Sequence, residues 1–139
     1  MEGTAGGFAV AAGLLLGAGG TELPRLRALG AVYGIAGQIA NVAALARAQR
    51  CQLPETLLAQ NGLSGDHVRH DPRCAAPVLR ELADIGLQRY RAASGPMPRR
   101  LLAAALPAVL GQRDLRRGAY RRLLPDTLAV LAAMTFARL

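Results

Sequence analysis

Few residues in this chain are suited to chemistry. Cys51, His67, His70 and Cys74 carry its metal-binding and nucleophilic side chains. A structural zinc site takes about four Cys or His ligands at close spacing. Here Cys51 stands well upstream of the other three, and no Cys-x-x-Cys pair occurs. These residues read as exposed loop histidines and two reduced thiols, in a reducing compartment. No metal site and no catalytic set is expected from them. Arg113, Arg116, Arg117, Arg121 and Arg122 fall mostly on one side of a helix. Such a face is either solvated or a patch for anionic lipid or an acidic partner. It lacks aromatic interleaving and a reader motif, so nucleic acid is not expected as a partner.

Those residues need elements to hold them. The chain has 139 residues, enough for one domain with a core. Hydrophobic residues make up 52% and aromatics only 4%, with Ala and Leu dominant, which predicts helices packed on helices. Lys+Arg outnumber Asp+Glu by 17 to 9, and every basic residue is an arginine. Residues 5–20 carry no charge but are too few, and too rich in glycine, for a spanning helix of about 20 residues. They read as a buried core helix over 2–17, ending in the cluster Gly17, Gly19 and Gly20, with membrane insertion as the alternative. A chain that begins directly in such a helix suggests further material before Met1.

Thr21 is the expected N-cap of a second helix over 22–47, with Pro24 just inside it. Gly30, Gly34 and Gly37 run along this helix. Each costs up to about 1 kcal/mol against alanine, so close packing or a pocket is expected beside them. A short helix follows in 55–62. Asp71-Pro72 opens another, which runs to about Ala93 with Leu79, Leu82, Ile85, Leu87 and Tyr90 on its apolar face. After a turn at 94–98, a helix bent at Pro107 extends to about Leu124, and a last apolar helix closes the chain.

Three segments, in order, resemble the C-terminal half of squalene and phytoene synthases. They are Glu2-Gly3-Thr4-Ala5-Gly6, Tyr33-Gly34-Ile35-Ala36-Gly37-Gln38-Ile39-Ala40-Asn41, and Arg50-Cys51-Gln52-Leu53-Pro54 with Asn61-Gly62-Leu63 after it. Gln52 stands where the family usually has tyrosine. The resemblance implies an all-α helical bundle of the isoprenoid synthase type, partial, with residues 1–139 forming its C-terminal half.

Catalytic members join two prenyl diphosphates head to head. They hold magnesium on two aspartate-rich motifs, because that ion takes hard oxygen ligands and bridges diphosphate oxygens. In one register the second motif should follow Gln38-x-x-Asn41, but residues 41–50 contain no Asp or Glu. That register also needs a short deletion before Pro54. A second register, from Gly34 to Pro54, needs none. It matches a divergent branch that resembles a mitochondrial complex I assembly factor and its alphaproteobacterial relatives, a branch without the synthase chemistry.

The resemblance therefore implies a non-catalytic protein acting through a protein partner, a lipid or an isoprenoid. Tyr33, Gly34, Gly37, Gln38, Asn41 and Arg50 are the candidates to line its vestigial pocket. The alternative is a prenyltransferase whose N-terminal half is missing or supplied by another chain. No cofactor is expected, magnesium entering only with such a catalytic half. Self-association through exposed apolar surface, and a cytoplasmic location or peripheral attachment to the inner face of the membrane, complete the expectations.

Overall fold

A computed structural model describes residues 4–117. Its α-helices are α1 (Thr4–Leu15), α2 (Glu22–Arg47), α3 (Glu55–Gln60), α4 (Gly65–His70), α5 (Ala76–Ala93) and α6 (Leu102–Arg117). Short 3₁₀ turns, Pro72–Ala75 and Arg99–Leu101, lead into α5 and α6. No strand occurs among the described residues.

The long helix α2 is the axis of the fold and packs against α1, α5 and α6. Its buried residues include Leu26, Leu29, Val32, Ile35 and Val42. They meet Val78 and Leu82 of α5 and Ala105, Ala108 and Leu115 of α6 in one core. Removing such a side chain from water contributes about 1.5–3 kcal/mol. Among the described residues no polar or charged residue is fully buried.

Small residues set how closely the helices approach α2. A β-carbon at Gly30 would stand 2.6 Å from the carbonyl oxygen of Ala5 and 2.7 Å from the β-carbon of Ala9. On α6, one at Gly111 would stand 2.9 Å from the α-carbon of Tyr33. Gly37, by contrast, faces open space. The glycines of α2 thus divide: Gly30 is a packing residue, and Gly37 is not.

The ends of α1 and α2 share one closing device. At α1, Gly17 turns left-handed (φ 77°). The Ala18 amide donates to the Gly13 carbonyl at 2.8 Å, and the Gly17 amide to that of Leu14 at 3.0 Å. At α2 the left-handed residue is Gln49 (φ 57°), with the Arg50 amide donating to Leu45 at 2.8 Å. A side chain in that region costs about 1–2 kcal/mol.

Some local expectations are corrected. Thr21 does not cap α2: its backbone is already helical, and its side chain makes no capping bond. The Gly19 carbonyl accepts the first amides instead, from Glu22 at 3.1 Å and Leu23 at 3.2 Å, and the Glu22 carboxylate in turn accepts the Gly19 amide at 2.7 Å. Residues 65–70, read as a loop, form α4. Ser64 accepts the His67 amide, and the Nδ1 of His67 accepts the Ser64 amide at 3.2 Å. The usual signal for such a reciprocal cap has Glu or Gln in the third position, so histidine there gave no warning. The helix at α6 continues through Pro107, while its extension to Leu124 and the last apolar helix lie outside the described residues. Asp71-Pro72 does open a helical segment, with Asp71 accepting the Arg73 amide at 3.0 Å.

Candidate functional site

An open cleft of about 450 Å³ lies between α2, α5 and the start of α3. Its apolar wall comes from Ala31 and Ile35 of α2, Leu57 of α3, and Leu82 and Ile85 of α5. Polar groups reach it from Thr4, Gln38, Thr56 and Arg89. A second hollow of about 530 Å³ adjoins it, with Val10, Leu23, Ala28 and Arg27 in its lining. The two share Ala31 and Arg89, so they form one apolar groove along α2 with two arginines on its border.

This groove exists because neighbouring residues hold α1 and α5 apart on α2. On one side, α1 is drawn against Gly30, and a β-carbon at Gly34 would lie 3.0 Å from that of Ala5. On another, Gly86 of α5 seats against Ile35 and Leu115. The open stripe of α2 between these contacts forms the floor.

The structure brings together part of the expected pocket set. Gly34 and Gln38 line the cleft, and the side-chain oxygen of Gln38 is buried. Arg50 and Gln38 also border a closed apolar seam with Val42, Leu45 and Leu53, which has no room for a ligand. Tyr33, Gly37 and Asn41 line neither hollow. Tyr33 supports Gly111 through its backbone. Asn41 is exposed and donates to the Gly37 carbonyl at 2.8 Å within its own helix.

Arg27 and Arg89 were not legible as site residues. Each sits among many arginines at ordinary helical spacing, and only the packing of α1 and α5 on α2 puts both beside one groove. Arg25 has a structural role: its guanidinium donates to the carbonyls of Ala93 and Pro96, at 3.1–3.2 Å.

Of the arginine face, Arg113 is half-buried and Arg116 exposed, both on α6. With the Gln112 amide oriented to accept, its oxygen lies 2.9 Å from the Arg116 guanidinium. Arg117 ends α6. Arg121 and Arg122 lie outside the described residues.

Four described groups depart from their ordinary titration, among them Arg73, raised by its hydrogen bond to the Asp71 carboxylate. Burial pushes up the Cys74 thiol, with smaller contributions from Asp71 and Cys51. Burial likewise raises Tyr90. The hydrogen bond from the Arg73 side chain lowers Asp71.

A sequence profile of squalene/phytoene synthases matches residues 1–126. The chain belongs to the squalene/phytoene synthase family. The all-α bundle is the isoprenoid synthase type of fold, in part. No curated protein and no solved structure matches the chain. A magnesium ion holding a diphosphate in the groove would need carboxylate ligands. The donor set there does not fit the ion. No Asp or Glu lines either hollow, and the charged side chains present are guanidinium groups, which repel a cation. Among the described residues no group of three His, Cys, Asp or Glu side chains could hold a metal.

Proposed function

We propose that this squalene/phytoene synthase family member is a binding protein that does not perform the metal-dependent condensation. Its groove takes an amphiphile with a prenyl-like chain and an anionic head. The observation that carries this reading is the groove's lining: apolar walls, Arg27 and Arg89 at the border, and no carboxylate. An apolar chain gains about 25 cal/mol per Å² of surface removed from water. A guanidinium holds phosphate oxygens through paired hydrogen bonds, without an intervening metal. The non-catalytic branch that resembles a complex I assembly factor would use such a site to sense or retain a lipid while a partner protein is engaged.

The test uses the purified chain with farnesyl or geranylgeranyl diphosphate. Binding should raise the melting temperature equally with magnesium and with EDTA, and no diphosphate should be released. Arg89→Ala should weaken binding by about tenfold or more, the loss of a charge-assisted contact. Diphosphate release that EDTA abolishes would instead establish the prenyltransferase alternative.

A further inference from the structure

Helix α1 is built the reverse way from most surface helices. Its buried residues are the small ones, Gly6, Ala9 and Gly13, and these face α2. Its large side chains point out: Phe8 is 73% exposed and Leu15 89%, with Leu14 exposed beside it. Leu16 follows in the turn, and the remaining large exposed apolar residue among those described is Tyr33 on α2. All large exposed hydrophobics of the described chain are therefore gathered on one helical hairpin. No charged residue occurs between positions 3 and 21. Water-facing helices carry charge on their outer side; this one carries leucine and phenylalanine.

We infer that the outer face of α1 is a docking surface for an anionic lipid bilayer. The charge of the whole molecule selects this occupant. The chain carries a net +8, so a second copy on this face would bring two strongly basic chains together, whereas an anionic bilayer supplies the opposite sign. The Arg27 side chain lies against the α2-facing side of α1, with its γ-carbon 3.2 Å from where a β-carbon of Gly6 would stand. The depth of insertion follows from length. At about 1.5 Å per residue, twelve residues reach about 18 Å, well short of the roughly 30 Å hydrocarbon core. Helix α1 lies in the interface plane, with Phe8, Leu14 and Leu15 among the acyl chains. Phe8, Leu14 and Leu15 line neither hollow, so the inference does not depend on the groove's ligand.

Vesicle flotation of the full chain tests the inference, with phosphatidylcholine vesicles against vesicles containing phosphatidylglycerol. The chain should float with the anionic vesicles and be released by salt. Phe8→Gln with Leu15→Gln should weaken that binding by about tenfold or more. Both side chains point to solvent, so circular dichroism of this variant should match the parent. An independent reading comes from Leu15→Trp, since the chain has no tryptophan. Its emission should shift to the blue on anionic vesicles, while that of Gln88→Trp, exposed on α5, should not. Three results would overturn the inference. One is equal binding to neutral and anionic vesicles. Another is full binding by the double glutamine variant. The last is a dimer in solution that the same variant dissociates, which would make a second copy the occupant.

Discussion

Gly30 and Gly37 sit two helical turns apart on α2, and their neighbours give them opposite roles. A methyl group at Gly30 would press into the backbone and side chain of α1, with 2.6 Å to one oxygen. Overpacking of that kind costs about 1–3 kcal/mol. A methyl at Gly37 meets nothing within 4 Å and removes a helix penalty of up to about 1 kcal/mol. Chemical denaturation should therefore show Gly30→Ala destabilised and Gly37→Ala stabilised. Equal effects would mean that α1 does not pack here as described. The sequence placed both residues on a helix and marked them as unusual together. Telling them apart needed α1 in place, because a glycine's cost is local while its benefit depends on the opposing surface.

At the scale of elements, the connection between α5 and α6 is held by α2. Arg25 donates two hydrogen bonds to the Ala93 carbonyl and one to that of Pro96. Ala93 is the last residue of α5, where unsatisfied carbonyls and the helix dipole favour a cation. Glu22 and Arg100 add an ion pair at 3.3 Å between α2 and the turn before α6. Replacing Arg25 with alanine should cost about 1–2 kcal/mol in denaturant unfolding, given that one of the bonds faces water. Lysine should recover only part, since it lacks the planar fork that reaches both carbonyls. The bounds of α2 at residues 22 and 47 were legible in its apolar run between charged flanks. Helix α4 was not, because its cap pairs serine with histidine. The partner of Arg25 was not either, since it lies 68 residues away.

The whole molecule should lose stability as pH rises into the alkaline range. Cys74 and Tyr90 are both raised by burial, so the folded state holds their protons at a pH where the unfolded chain releases them. Their contribution is complete below the ordinary values of 9.0 for the thiol and 10.0 for the phenol. It is lost as pH climbs above those values towards the folded-state ones. Melting temperature should fall across that window, and Cys74→Ala with Tyr90→Phe should flatten the fall. A melting temperature that is level through the window would show that the two groups ionise as freely folded as unfolded.

Composition and periodicity were enough to establish an all-helical bundle centred on residues 22–47. The run of residues 41–50 shows by itself that it carries no Asp or Glu. Both are local properties: helix preference accumulates residue by residue, and an acidic motif is either written in a segment or it is not. The groove is a property of packing. Tyr33, Gly37 and Asn41 belong to the same resemblance segment as Gly34 and Gln38, yet α1 and α5 leave open only the stripe that carries the latter pair. Arg27 and Arg89 reach that groove from separate helices. The outward face of α1 also had to come from the fold. An uncharged helix reads as buried in sequence, and its large side chains became exposed because α2 accepts only the small ones, through the close approach at Gly30.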